Sequence, residues 1–246
     1  MTDRRHQPYV KRSLREGGTF AADDTVHMET RSLASNTSTP VSAHPLSDVV
    51  MLFLDGSGEI LVGDRVHRFS GTRHAHVAAG VTYLLRNTGS SDLRYVQAMC
   101  PPGPTSSLDG LGPKATPGGA TLLSVEQYDR FPDSGLVRGG MWFLESGAHA
   151  RYHSHDGAPE VFVFLSGQCE MTVEGEKIDV TSGDVVYVAP EMKHGFFNPG
   201  PERLAAWLTV TPNVTPTHTF YDPLPGGSWQ RITPRIDGHP VRPPTR

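Results

Sequence analysis

The chain has 246 residues, a formal net charge of −4 and 20% charged residues, a length that suits two domains of ordinary size better than one small one. That charge balance offers no basic field to hold a phosphate backbone, which excludes nucleic acid as an expected partner. Two cysteines, Cys100 and Cys169, provide neither a disulfide framework nor a CxxC zinc site, and no apolar run reaches the length of a membrane span.

With 26 glycines and 21 prolines and little helical periodicity, the expectation is an all-β, turn-rich chain. Residues 1–18 carry charge without the apolar core of a signal segment and read as an N-terminal arm. Together with the reduced cysteines this points to a soluble, cytoplasmic protein. Residues 19–100 form the first β module, in which the run from Asp48 to Gly80 alternates short apolar strands with glycine turns. Residues 101–120 are too rich in Pro and Gly to continue a strand and read as a linker.

Residues 121–212 repeat the rhythm. Position n in the first half meets n + 111 in the second without a gap: Leu33 with Leu144, Phe53 with Phe164, Gly56 with Gly167, Asn87 with Asn198 and Leu93 with Leu204. The chain therefore carries one antiparallel β module twice. Residues 213–246 are punctuated by proline but contain Phe220, Tyr221 and Trp229. They read as an extended C-terminal arm that packs its aromatics on a barrel, with a clamp on a second copy as the alternative.

The second module holds the sequence YHSHDGAPE at 152–160. His153 and His155 alternate along a strand and so face one side, about 6 to 7 Å apart. Glu160 follows across a short turn, and His194 opens a strand that returns beside the first. Three imidazoles and a carboxylate leave a divalent ion two open positions if it is octahedral. In the first module the same register puts Ser42, His44, Val49 and Tyr83 where His153, His155, Glu160 and His194 stand. A single histidine does not hold an ion against water, so the first module is expected to be metal-free. A second HxH pair, His74 and His76, falls opposite Val185 and Tyr187 rather than opposite ligands, and is read as structural.

The spacing Gly147, His153, His155, Glu160, Gly167 resembles the first signature of the cupin family, and Gly183 to Asn198 resembles its second. The chain departs from the family at Ala189, where proline is common, and at Glu191, where glycine is common. The resemblance implies two tandem jelly-roll barrels, a bicupin with an intact metal motif only in its C-terminal cupin. It also implies one divalent transition metal, Fe, Mn, Ni, Co, Cu or Zn, on His153, His155, Glu160 and His194, and pairing of copies as a homodimer.

Strand parity places His149, Arg151, Phe162, Phe164 and Phe196 on the inward face with the ligands. Arg151 is expected to fix a carboxylate or enolate substrate, or else to bend out to solvent. Glu191, in the loop before His194, is expected to act as a general base, or else to be a solvated loop carboxylate. No nucleotide fingerprint or serine triad competes with this site. The resulting expectation is a metal-dependent enzyme acting on a small oxygen-rich organic molecule, most simply by dioxygenase-type oxidation. A non-redox isomerase, lyase or decarboxylase and a non-catalytic binding protein are the alternatives, because a fold of this kind does not choose its reaction.

Overall fold

The computed structural model describes residues 7–103, 106–107, 119–214, 218–225, 228–232, 235–236 and 239–240. Apart from one 3-10 turn at Leu14–Glu16, the described elements are strands, and every strand pairing with a defined register is antiparallel. The chain divides into two compact units, residues 14–141 and residues 1–13 with 142–246.

In the unit of residues 14–141, a six-stranded sheet runs in the order Ala120–Leu123, Arg73–Val77, Asp48–Asp55, Leu93–Cys100, His27–Leu33, Thr19–Ala22. A three-stranded sheet is formed by Arg65–Ser70, Ser57–Val62 and Leu84–Asn87. Alternation along these strands sends one face inward: Val49, Met51 and Phe53 meet Ile60, Val62, Leu85 and Leu93 in one core. Phe53 stacks on Phe69 with ring centroids 3.8 Å apart.

The other unit repeats the plan. Glu160–Ser166 lies between Asp184–Val188 and Leu204–Val210, and Gln168–Val173 lies between Glu176–Thr181 and His194–Phe197. Phe162, Phe164, Met171, Val173, Phe196 and Leu204 fill its core. Ser57–Val62, Arg65–Ser70 and Arg73–Val77 recur as Gln168–Val173, Glu176–Thr181 and Asp184–Val188, each displaced by 111 residues. The repeat extends to single hydrogen bonds. The Asn87 amide donates to the carbonyls of Leu33 and Ser91 and accepts from the Gly89 N–H. Asn198 does the same with Leu144, Glu202 and Gly200, each exactly one repeat further on. The paired glycines have a common cause: Gly167 sits at φ 75°, where a Cβ would come within 2.9 Å of the Leu204 Cα, and Gly56 sits at φ 92° beside Leu93.

The unit boundaries differ from those expected of the sequence. Tyr9–Ser13 is not a loose arm but the edge strand of the second unit's sheet, paired with Asp184–Val188. Ala120–Leu123, which spans the last residue of the expected linker and the first three of the expected second module, instead extends the first unit's sheet beside Arg73–Val77. Both additions cover rows of backbone donors and acceptors that an open edge would leave bare. The expected linker lies largely outside the described residues. The C-terminal arm forms Thr219–Pro223, which pairs with the strand His149–Ser154 of its own unit.

His74 and His76 have structural partners, as the first-half register requires. His76 Nε2 lies 2.9 Å from Asp48 Oδ2, and His74 Nε2 donates to the Ser124 carbonyl at 2.9 Å. His74 Nδ1 is buried with no hydrogen-bond partner, so a second proton would be a buried, unshared charge. Burial accordingly pushes His74 down to about 4, against smaller raising effects of the Ser124 carbonyl and Asp129. Because the unfolded chain binds this proton more readily, stability is full above pH ~6.5 and declines as pH falls towards 4, by about 3 kcal/mol at this one site. Denaturant melts from pH 7 to 4 should show His74→Val, which takes the residue type of Val185, losing that much of the acid sensitivity. An unchanged pH slope would refute this account.

Candidate metal centre

Four side chains from three strands and one turn converge in the second unit. His153 lies within the strand His149–Ser154, His155 just beyond its end, Glu160 at the head of Glu160–Ser166 and His194 at the head of His194–Phe197. Their nearest ligand atoms all lie within 4.8 Å of one another. His155, Glu160 and His194 are buried, while His153 keeps an exposed edge.

The donor geometry suits a metal ion. Glu160 Oε2 lies 2.8 Å from His155 Nε2 and 2.9 Å from His194 Nε2, about the spacing of two adjacent ligands that each sit roughly 2.1 Å from one ion. Nδ1 of His153 donates to the Arg151 carbonyl at 2.7 Å and Nδ1 of His194 to the Met192 carbonyl at 3.0 Å. These bonds select the tautomer whose Nε2 lone pair faces the centre. They also leave a conflict that a cation resolves. His194 has an acceptor opposite each ring nitrogen, and a neutral imidazole carries only one proton. An ion between His194 Nε2 and Glu160 Oε2 satisfies both.

Electrostatics favour the same protonation states. Burial, reinforced by the neighbouring rings of His194, His155 and His218, holds His153 well below its usual value and keeps it neutral. For Glu160, burial raises the pKa, but the contacts with His155 and His194 outweigh it, so the carboxyl sits well below the usual range and is ionised.

The inner wall is aromatic. Phe162 and Phe196 are buried beside His194, with ring centroids each 6.0 Å from it, and Trp142 packs on both. Parity therefore identifies Phe162, Phe164 and Phe196 as inward. It fails for His149 and Arg151, because the pairing of this strand with His194–Phe197 shifts register between Ala150 and His153. His149 is exposed and stacks on Phe197. Arg151 is exposed, bonded through Nη2 to Asp222 at 2.9 Å and set over the Phe220 ring. Glu191 adopts φ 67°, its Oε1 accepts the Gly157 N–H at 2.6 Å and its own N–H donates to the His155 carbonyl.

His218 belongs to the site and was not anticipated. It lies in the C-terminal arm, with its ring 5.0 Å from that of His153 and 4.8 Å from that of His155. The arm is aligned by the pairing of Phe220 with His153, and Asp156 Oδ2 accepts bonds from Thr219 Oγ1 and Arg231. A histidine among the arm's prolines carries no pattern; the pairing of the arm with the strand of His153 brings it to the four residues. In the first unit, His44 Nε2 lies 3.4 Å from the Tyr83 hydroxyl, and these two residues hold the places of His155 and His194. Burial and the nearby Arg31 lower the pKa of His44.

The duplicated antiparallel barrel and the region of its second copy that holds the cluster are each similar to known proteins. Residues 140–211 match the family profile described as Cupin domain. An uncharacterized protein of Methanocaldococcus jannaschii is 33% identical over 54 residues, a segment that is 22% of this chain and 43% of that protein. Among solved structures, the salicylate 1,2-dioxygenase of Pseudaminobacter salicylatoxidans is similar in fold, with a TM-score of 0.65 at 11% identity over 79% of this chain and 76% of that one. The Bacillus subtilis oxalate decarboxylase, studied for its Mn(II) centres, gives 0.59 at 13% identity over 85% and 78%. A putative glyoxylate-induced protein of Pseudomonas aeruginosa gives 0.60 at 17% identity over 76% and 74%. Residues 140–211 thus carry a cupin domain, the chain as a whole is similar in fold to these solved structures, and the three-histidine, one-glutamate cluster lies within the matched residues.

Proposed function

We propose that the second barrel is a metal-dependent active site for a small oxygen-rich organic substrate, and that its reaction is a dioxygenase-type oxidation. The observation that carries this reading is the convergence of His153, His155, Glu160 and His194 on one point beside an aromatic wall. A divalent redox ion held there supplies Lewis acidity and electron exchange with dioxygen. The chain's own residues supply the rest. Phe162, Phe196 and Trp142 offer an apolar, water-poor surface to the body of a substrate. His218 and Phe220 cover the ligands from the arm. Arg151, on the rim with Asp222, binds a substrate carboxylate by exchanging that partner. Glu191 acts as a positioning residue that clamps the turn between His155 and Glu160. Both cysteines are buried thiols, in keeping with a cytoplasmic setting, and among the described residues no helix is long and apolar enough to cross a membrane.

Metal analysis followed by oxygen-uptake assays with small enolic, catecholic and hydroxyaromatic acids tests the proposal. The expected result is about one redox-active ion per chain and oxygen consumed in step with product. Equal turnover under argon would instead assign a non-redox decarboxylase, lyase or isomerase. In the active protein, His218→Ala should keep its metal but lose roughly ten- to a hundredfold in kcat/KM, because the cover over the reacting groups is displaced. Loss of metal in that variant would make His218 a ligand and change the coordination assigned above.

A further inference from the structure

The first barrel contains a cavity of about 260 Å³, close to the lower end of small-molecule sites at roughly 300 Å³. Its lining includes Ser42, His44 and Tyr83, three of the four positions that match the metal ligands, so it occupies the place of the metal site in the repeat. The residues around that point have changed in a consistent direction. Trp142, Ala206 and Leu208 of the second copy correspond to Arg31, Tyr95 and Gln97 of the first. Where the second barrel has apolar side chains around three imidazoles and a carboxylate, the first has a guanidinium, two phenols and an amide.

These polar groups are not consumed by the fold. Tyr95, Gln97 and Met99 alternate along one strand and so face the cavity together. Gln97 is only 7% exposed and lines the cavity, with its amide open to that space rather than sealed unpartnered in the core. Arg31 stands at the mouth. Its Nε and Nη2 donate to Glu29, which does not line the cavity, and it also bonds the Tyr95 side chain. Five N–H donors exceed those contacts. Deeper in, Tyr83 and His44 contact each other, and Met51 and Leu85 form an apolar floor.

We infer that this cavity is a second ligand site, independent of the metal, which takes a small organic carboxylate. Arg31 and the phenol and amide donors receive the carboxylate, and the body of the molecule rests on Met51, Leu85 and Met99. The inventory is rich in donors and includes one guanidinium, which favours an anion over a cation; Glu29, paired with Arg31 at 2.6 Å, does not itself line the cavity, and an incoming carboxylate uses the Arg31 donors that this pair leaves over.

Isothermal titration calorimetry with benzoate, 4-hydroxybenzoate and hexanoate, with benzamide as the uncharged counterpart of benzoate, tests this on the full chain. The measurement is made on the metal-loaded wild type, on wild type stripped by a chelator, and on Gln97→Leu and Arg31→Gln. The expected result is a carboxylate site that survives metal removal, prefers benzoate to benzamide, and weakens roughly tenfold or more in each variant. Gln97→Leu takes the residue type of Leu208, and thermal unfolding of both variants checks that the barrel is intact. The inference is overturned if none of the three carboxylates binds at millimolar concentration. It is equally overturned if binding vanishes with the metal while Gln97→Leu and Arg31→Gln leave it unchanged, since the carboxylate would then sit on the ion. Survival or loss of oxygen uptake does not bear on this result.

Discussion

Glu160→Ala is expected to purify with essentially no tightly bound metal, whereas His44→Ala keeps the wild-type content. Glu160 is the one anionic donor of the cluster, is 4% exposed, and presents the same oxygen to His155 and His194. Its removal leaves three neutral imidazoles in a buried pocket, without the charge that balances a divalent ion. The loss in affinity should exceed the 10- to 100-fold that even an outer partner of a ligand typically contributes. Because the ion binds only the folded chain, the same variant forfeits the stabilisation of occupancy, about 4 kcal/mol where free metal stands a thousandfold above its dissociation constant. Elemental analysis and melting with and without chelator read both effects. If His44→Ala halved the metal content, the first barrel could not be the metal-free copy described above.

Asn87→Ala and Asn198→Ala should each destabilise the unit that contains them by about 3–5 kcal/mol, since each substitution deletes three hydrogen bonds and strands buried backbone groups. Both residues are at most 1% exposed, and each ties the end of one strand to a turn and to a second strand. The two substitutions should differ in one respect. Asn198 closes the strand that begins at His194, so Asn198→Ala should also weaken metal binding, while Asn87→Ala should not. Denaturant titrations monitored alongside metal content make the comparison. A cost below about 1 kcal/mol for either would mean that water replaces the amide at little expense.

The β class, the duplication and the three-histidine, one-glutamate cluster were all legible in the sequence, because each rests on a local rule. Strands alternate, turns need glycine, and paired histidines with a carboxylate are chemistry rather than packing. The displacement of 111 residues was legible for the same reason, and the Asn87 and Asn198 triads show how literally it holds. What escaped was set by long-range pairing. Parity misplaced Arg151 because the register shift between Ala150 and His153 depends on a partner strand some forty residues away, which no local pattern announces. His218 was missed because its position follows from the anchoring of Thr219 and Arg231 on Asp156. The polar cavity was likewise hidden. Arg31 and Gln97 look like ordinary strand residues until the barrel brings them to the place that matches the three-histidine, one-glutamate cluster of the other copy.

The strand that carries His153 is flanked on one side by His194–Phe197 and on the other by Thr219–Pro223. This arrangement imposes an order on synthesis. All four ligands have been translated by residue 194, some 25 residues before the covering strand begins to emerge, and domains fold progressively as the chain is made. The four residues are thus made before their cover. A chain ending before residue 218 would present them without the ring of His218 against His153 and His155, so the arm is the part of the sequence through which access to the cluster can be varied without touching the four residues themselves.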